Sequence, residues 1–304
     1  MCLGTLHLRT GAYQQAASDF NVVVDRDPAN DEALRGLANS YEQLGVSSRA
    51  EEAYRKASQL RPQYANDYRD LGAFYSRQAK YDLAAEQFQK AASLNPDDPR
   101  PWEQLGGSYF YSGQYTKSIA ALQHAISLRP SFRSYSNLGS SYIALRQFPE
   151  AIAALNQSVN LGPNEIQTFG NLGRAYFLYP PARTSAREPL LKALSLAAKD
   201  LSVNPNDTDA HLLSSQFFAM LGRKEDALKH LDAALKLQPN DAETLYYAAI
   251  VHCVLGNTTQ AAEWLAKAIQ RGYSLAEIQS APELDPIRNE PEVKQFISSL
   301  NHQK

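Results

Sequence analysis

Prolines recur along the chain at a nearly constant interval. They are Pro28, Pro62, Pro96, Pro130, Pro163, Pro205 and Pro239, and the successive spacings are 34, 34, 34, 33, 42 and 34 residues. Asn or Asp stands beside most of them, as in DRDPAND, LNPDDP, VNPNDT and LQPNDA. Because proline cannot continue a helix and Asn or Asp caps the next one, each position predicts a helix end, a turn and a new helix start. We therefore expect one repeated structural unit rather than two ordinary domains.

Two amphipathic helices can be read within one such unit, residues 65–98. The first presents one face at positions i, i+3, i+4 and i+7, namely Tyr68, Leu71, Gly72 and Tyr75. The second presents Ala84, Phe88 and Ala91 on one face. Small residues such as Gly72 and Ala84 allow the two helix backbones to approach closely, and Phe88 fills the space beside them. The unit is predicted to be a packed helix pair.

The same pattern recurs in other units as Leu-Gly pairs followed by Tyr, and it weakens toward the C-terminus. The pairs are Leu105-Gly106, Leu138-Gly139 and Leu172-Gly173, with Ser214-Ser215 and Ala248-Ala249 at the later positions. This succession resembles the tetratricopeptide repeat, whose signature runs from an aromatic residue and Leu-Gly to a closing proline. The resemblance implies an all-α fold, a right-handed superhelical solenoid of antiparallel helix pairs with about eight repeats.

The repeat pattern also predicts how the chain is divided. Residues 1–272 are expected to form the solenoid and residues 273–304 a helical cap, with Ile287, Val293, Phe296, Ile297 and Leu300 facing inward. The repeat at 166–205 is enlarged, for which a longer helical hairpin is favoured over a binding loop. Leu3-Gly4 stand where a Leu-Gly pair belongs, so we expect a truncated first repeat and a further domain preceding the chain.

Composition and motifs narrow the possible functions. A formal net charge of −2 disfavours nucleic-acid binding, and RNA binding by a related helical repeat is disfavoured by the tetratricopeptide pattern as well. The sequence shows neither a long apolar run nor a secretory signal, and two cysteines suit a reducing compartment, so we expect a cytoplasmic protein without membrane contact. Phosphate-binding loops, nucleophile elbows and metal-ligand spacings are not found in the sequence. We predict no enzymatic activity, no cofactor and no metal.

The first helix of each pair should line a concave groove, and the residues facing away from the core stripe are the predicted partner-binding residues. They are Arg35, Asn39, Asn66, Arg69, Arg77, Arg100, Phe110, Tyr111, Arg133, Arg174 and Phe177. Guanidinium groups bind carboxylates in a forked geometry, so one hypothesis is an extended protein or peptide partner with acidic side chains or a free C-terminal carboxylate. The alternative is a solvated face whose arginines pair with nearby Asp and Glu.

Two further resemblances to family members bear on which partner the chain binds and on which larger protein it belongs to. Some members clamp a partner's terminal carboxylate, and Arg35 and Asn39 match that motif, whereas Asp70 and Gln104 do not, so binding of chaperone tails is not expected. The closing segment GYSLAEIQSAPELDPIRNEPEVKQFI is similar to the end of repeat regions in bacterial multidomain proteins, such as Ser/Thr kinases and winged-helix regulators. This implies a bacterial protein in which the chain is a regulatory tail.

Overall fold

The computed structural model describes residues 2–288, 290 and 293, and within them the regular elements are all helical. The helices are α1 (Cys2–Arg9), α2 (Tyr13–Arg26), α3 (Asp31–Gln43), α4 (Ser47–Leu60), α5 (Ala65–Arg77), α6 (Tyr81–Leu94), α7 (Pro99–Tyr111), α8 (Tyr115–Leu128), α9 (Phe132–Ala144), α10 (Phe148–Leu161), α11 (Ile166–Leu178), α12 (Arg187–Val203), α13 (Thr208–Met220), α14 (Lys224–Leu237), α15 (Ala242–Val254), α16 (Thr258–Gln270), α17 (Leu275–Ser280) and α18 (Asp285–Arg288). The fold is an all-α solenoid of helix pairs, which confirms the predicted fold class.

Polar caps start the first helix of most pairs, at the positions that follow the recurring prolines. The Asn30 side chain accepts a hydrogen bond from the Ala33 backbone N–H, and Asp207 and Asp241 do the same for Ala210 and Thr244. Each cap satisfies one N–H that the first helical turn leaves without an intrahelical partner. The turn chemistry in the sequence therefore sets where each first helix begins.

Close approach of the paired helices depends on small residues. A Cβ built on Gly72 would lie 2.9 Å from the Phe88 ring, and one built on Gly139 would lie 2.4 Å from the Cγ of Leu155. Phe88 and Leu155 are themselves at most 2% exposed. The second helix of a pair therefore inserts a large side chain where the first helix has only hydrogen, as the sequence pattern predicted.

Backbone contacts divide the chain into two compact units. Unit 1 comprises residues 1–112 with 127–129, and unit 2 comprises residues 113–126 with 130–304. In unit 1 a cluster of Ala16, Phe20 and Leu37 packs between α2 and α3. In unit 2 successive clusters run along the helix pairs from α8 to α16.

Two segments depart from the regular repeat. In the enlarged repeat at 166–205, a 3-10 helix at Pro180–Ala186 precedes α12, which has 17 residues where the other second helices have 13 or 14. After α16 the chain forms the short helix α17, a 3-10 turn at Pro282–Leu284 and α18. The predicted helix around Phe296, Ile297 and Leu300 lies outside the described residues.

Replacing Gly139 by Ala tests the close approach in unit 2. The new methyl group meets Leu155, so we expect the free energy of unfolding to fall by about 1–3 kcal/mol, as overpacking does. Gly107 is the matched control, because it also lies within a helix but a Cβ built on it has no neighbour within 4 Å. Gly107→Ala should stabilise by roughly 0.5–1 kcal/mol through helix propensity. Urea denaturation followed by circular dichroism measures both, and equal effects would contradict the packing argument.

Candidate functional site

All of the predicted site residues lie on first helices. Arg35 and Asn39 are on α3, while Asn66, Arg69 and Arg77 are on α5. The remaining ones are Arg100, Phe110 and Tyr111 on α7, Arg133 on α9, and Arg174 and Phe177 on α11. We call the surface formed by the side chains of first helices that do not pack on second helices the first-helix surface. Residues up to Tyr111 belong to the first-helix surface of unit 1, and the others to that of unit 2.

Arg35 is surrounded by acidic side chains of unit 1. Its guanidinium nitrogens lie 3.8 Å from Asp31, 3.4 Å from Asp67 and 3.5 Å from Asp70. The Asp67 side chain is 0% exposed, and neither of its carboxylate oxygens has a hydrogen-bond partner among the described residues. Burial raises the pKa of Asp67 to about 6, and the charge of Arg35 opposes that shift. Arg35 therefore serves first as the counter-ion of a buried carboxylate.

A pocket of about 410 Å³ opens beside this cluster. Its polar lining includes Arg35, Asn39, Tyr54, Asp70 and Arg77. The Arg77 guanidinium holds both carboxylate oxygens of Glu42, at 2.5 and 2.9 Å, and the Tyr54 hydroxyl donates to the same carboxylate at 3.2 Å. Positively and negatively charged side chains thus line the same open pocket in unit 1.

The other basic residues predicted for unit 1 also have local partners. Arg69 lies 3.5 Å from Asp70, and Arg100 makes short hydrogen bonds to Asp98 from the preceding turn. Those hydrogen bonds lower the pKa of Asp98. The side-chain amide of Asn66 donates to the Tyr64 hydroxyl at 3.0 Å. In unit 1 the arginines are therefore paired with nearby acids, as in the alternative left open by the sequence.

Aromatic side chains adjoin this polar region on α7. Tyr111 is 44% exposed and stacks on Tyr81 with ring centroids 5.0 Å apart, and Phe110 meets the edge of Tyr111 at 5.4 Å. A second pocket of about 410 Å³ lies beside Tyr81 and Tyr111, with Gly107 and Arg77 also in its lining. This part of the surface offers apolar contact next to the arginines.

Residues 274–288, which follow the last repeat, contact the first helices of unit 2. We call Ser274–Arg288 the tail segment. Within it, Glu283 accepts two hydrogen bonds from Arg174 at 2.5 and 2.9 Å, and the Glu283 side chain is 0% exposed. Asp285 accepts two from Arg146 at 2.7 Å each. Burial works against the charge of Arg174, but the adjacent Glu283 carboxylate raises the pKa of Arg174 above its ordinary value.

Polar and apolar contacts hold the rest of the tail segment. The Tyr115 hydroxyl lies 2.6 Å from the Ser280 hydroxyl and 3.1 Å from the Ala276 carbonyl oxygen. Ile278 and Leu284 are each 1% exposed and join the apolar cluster of α15 and α16. The segment thus spans unit 2 from the start of α8 to α16.

Glu277 is a half-buried acid within the tail segment. The Tyr273 hydroxyl donates to its carboxylate at 3.2 Å. Burial raises the pKa of Glu277 to about 7 and the nearby Glu243 adds to the shift, whereas the Tyr273 hydrogen bond and the charge of Arg174 oppose it. Holding this side chain in place therefore costs free energy once it ionises.

The two remaining predicted residues of unit 2 contact neighbours on their own surface. The Arg133 guanidinium is exposed and lies 5.7 Å from the centroid of the Phe132 ring. The Phe177 ring lies 4.1 Å from the guanidinium carbon of Arg183, which belongs to the enlarged repeat. Among the described residues, neither of them contacts the tail segment, and each has a neighbour of its own on the surface.

Residues suited to chemistry are few in the part of the chain that the structure describes. Within it, no group of three or more His, Cys, Asp or Glu side chains is placed to hold a metal ion. His211 and His230 do meet, with their Nδ1 atoms 2.9 Å apart, a contact that sequence spacing did not suggest. Burial raises the pKa of Cys253 to about 11, which leaves a neutral thiol. None of the described helices is long and apolar enough to cross a membrane.

Comparison with known sequences identifies the repeat. The sequence profile described as tetratricopeptide repeat matches residues 3–65, 70–131, 103–166, 190–242 and 218–274, which is more than half of the chain. The chain belongs to the tetratricopeptide repeat family. It is therefore a scaffold of the protein-binding type, and the matches indicate no catalytic family.

Solved structures of other tetratricopeptide repeat proteins are similar to this one. A crystal structure of MamA is 26% identical with a TM-score of 0.50, and the match covers 54% of this chain and 96% of that chain. A chain from a crystal structure of the APC/C hetero-tetramer Cut9–Hcn1 is 19% identical with a TM-score of 0.59, covering 88% of this chain and 48% of that one. The C-terminal part of a TPR repeat-containing protein from Cytophaga hutchinsonii is 18% identical with a TM-score of 0.54, covering 81% and 98%. The last two show the fold alone.

A search of curated protein sequences found no match. The predicted resemblance of the closing segment to repeat regions of kinases and transcription regulators stays a prediction.

Sequence reasoning missed Arg146 as a site residue of this tetratricopeptide repeat chain. It is the residue after the C-cap of α9 and has a positive φ of 60°, so it lies outside the helical positions from which the site was predicted. Its partner Asp285 is 139 residues further along the chain, a pairing that no local spacing reveals. The one available signal was the acidic Glu-Leu-Asp run at 283–285.

Removing the cation at position 35 tests its role beside Asp67. Arg35→Gln leaves a buried carboxylate without its counter-ion, so the free energy of unfolding should fall by about 2–3 kcal/mol near pH 8. The loss should be smaller near pH 5, where Asp67 takes up a proton. Adding Asp67→Asn should recover most of it. Urea denaturation of the two variants at both pH values is the measurement, and a pH-independent loss would contradict this role.

The pKa of Glu277 predicts how stability depends on pH. Its folded value of about 7 exceeds the ordinary value of 4.5, so the folded state binds the proton more tightly than the unfolded state. This contribution is fully present below about pH 4.5 and is lost as the pH rises through about 7. Glu277→Gln keeps a neutral acceptor for Tyr273 and should be more stable than the parent near pH 8 by about 2 kcal/mol. Near pH 4 the two proteins should melt alike, and a variant equally stabilised at both pH values would refute the assignment.

Proposed function

We propose that the chain binds an extended segment of a partner polypeptide on the first-helix surface of unit 1, and that acidic side chains of that segment contact the arginines there. The observation that carries the proposal is the way unit 2 holds the tail segment. Two forked pairs, Arg174 with Glu283 and Arg146 with Asp285, fix a stretch of polypeptide against the helices of unit 2. The same residue types line the open pocket of unit 1.

Distances in unit 1 support an incoming carboxylate. Arg35 is 3.4 to 3.8 Å from its three acids, whereas in unit 2 the Arg174–Glu283 and Arg146–Asp285 pairs close to 2.5 and 2.7 Å. A forked hydrogen bond to a planar guanidinium is short and strongly directional. A partner carboxylate that reaches the two terminal nitrogens of Arg35 therefore replaces the looser contacts with Asp31 and Asp70, while Nε stays beside the buried Asp67. Asn39 adds a side-chain amide at the same pocket.

Apolar contact complements the charges. Tyr111 and Tyr81 form an exposed aromatic stack at the second pocket, and aromatic side chains contribute strongly to protein interfaces. The proposed partner segment therefore combines acidic residues for the arginines of α3 and α5 with an apolar residue for α7. A cytoplasmic setting is part of the proposal, since both Cys2 and Cys253 are free thiols.

Reversing charges on the first-helix surface of unit 1 tests this function. Affinity capture with the full chain identifies a partner, which is then titrated as a purified protein. We expect Arg69→Glu/Arg77→Glu/Arg100→Glu to weaken its binding by about 100-fold, because each of these arginines contributes about 1 kcal/mol to an acidic ligand. Added salt should weaken the parent complex more than that of the variant.

The matched control places the same three charge reversals on second helices. Arg26, Lys56 and Lys90 are exposed on α2, α4 and α6, and Arg26→Glu/Lys56→Glu/Lys90→Glu should bind the partner nearly as the parent does. Equal loss in both triple variants would attribute the effect to net charge, and equal retention by both would eliminate the arginine surface of unit 1 as the binding site.

A further inference from the structure

The tail segment joins the apolar core of α15 and α16 through Ile278, Leu284 and Ile287, but the helix pairs from α8 to α12 that it crosses have cores without it. The apolar clusters that hold α8 to α12 together contain Leu122, Leu138, Leu155 and Leu172 among their members but no residue of the tail segment. Arg174 projects from α11, and Arg146 from the connection between α9 and α10. These helix pairs thus have their own cores, and the tail segment adds contacts to side chains already positioned by them.

We propose that this surface of unit 2 is a binding site for an acidic polypeptide segment, that the tail segment is its internal occupant, and that a partner segment of the same chemistry displaces it. The inference rests on the proposed function, because it extends the binding of acidic segments from unit 1 to unit 2. It adds a recognition pattern and a competitor that the chain itself supplies.

The contacts of the tail segment define the pattern that the site recognises. The Glu283 carboxylate binds Arg174 and its side chain is fully buried. The Asp285 carboxylate, two residues later, binds Arg146, and both of these side chains are more than 40% exposed. The apolar Leu284 lies between them. Three residues before the first carboxylate, Ser280 meets the Tyr115 hydroxyl. The site therefore accepts a small polar residue, then an acidic, an apolar and an acidic residue.

Two features make the tail segment an imperfect ligand. Its helices have six, three and four residues, lengths that do not hold helical structure without tertiary contacts. It also holds the half-buried Glu277 near Glu243, where no described cation forms an ion pair with Glu277. A partner segment that matches Ser280, Glu283 and Asp285 but carries a neutral residue in place of Glu277 binds without that electrostatic cost.

Exchange can be measured with the full chain and a labelled peptide of its own sequence, SLAEIQSAPELDPIR, residues 274–288. In the variant Glu283→Arg/Asp285→Arg, the internal segment repels Arg174 and Arg146, while the binding surface is unchanged. Fluorescence anisotropy should show that this variant binds the peptide at least about ten-fold more tightly than the parent chain. Adding Arg146→Glu/Arg174→Glu should abolish binding of this peptide, because both of its acidic residues then face carboxylates.

The controls separate exchange from loss of structure. Asp285→Arg alone breaks the pairs of Asp285 with Arg146 and Arg288 and leaves the buried pair of Glu283 intact, so it should remain folded and bind the peptide about three-fold more tightly than the parent. A folded double variant that binds the peptide no better than the parent overturns the proposal. Loss of helical circular dichroism in both variants also overturns it, because the tail segment is then an inseparable part of unit 2. Peptide exchange uses purified components and residues of unit 2 only, so its failure and failure of partner binding at unit 1 are distinguishable.

Discussion

Close approach between paired helices is the constraint on which the other features depend. Gly72 and Gly139 leave room for Phe88 and Leu155, and these large side chains are almost completely buried as a result. Because such contacts close several of the pairs, the first helices present their remaining side chains to one side of each of those pairs. Arg35 and Arg174 are held at defined positions for this reason, and a ligand gains from residues that do not need to be ordered on binding.

Electrostatic balance on the first-helix surface differs between the two units. In unit 1 the arginines face acids contributed by the same or neighbouring repeats, and the buried Asp67 depends on Arg35 for compensation. In unit 2 Arg174 takes its acid from the tail segment, 109 residues away. Burying charges is favourable only when they are paired and hydrogen-bonded. The same chemical group therefore stabilises the fold in unit 1 and binds a separate stretch of polypeptide in unit 2.

Local sequence signals were sufficient for the fold, whereas the site depended on long-range contacts. Proline spacing, Asn and Asp caps and the Leu-Gly pairs act over a few residues, so helices such as α5 and α7 follow directly from them. The acidic partners of Arg69 and Arg100 could also be predicted from the sequence, since Asp70 and Asp98 are one and two residues away. By contrast, Arg146 and Asp285 meet only because the tail segment crosses several helix pairs, and the proximity of His211 to His230 depends on how α13 packs against α14. No sequence spacing encodes such distances.

Amide hydrogen exchange of the intact chain tests most directly whether the tail segment is a bound ligand of unit 2 or an integral part of its fold. If unit 2 holds the tail segment as a ligand on a preformed surface, the amides of Ile278 and Leu284 open without unfolding of α15, and they exchange at least about 100-fold faster than the core amides of that helix. An excess of the unlabelled 274–288 peptide should accelerate their exchange further while leaving α15 unchanged. Equal protection of the tail segment and α15, unaffected by the peptide, would contradict the idea that the first helices of unit 2 form a binding surface.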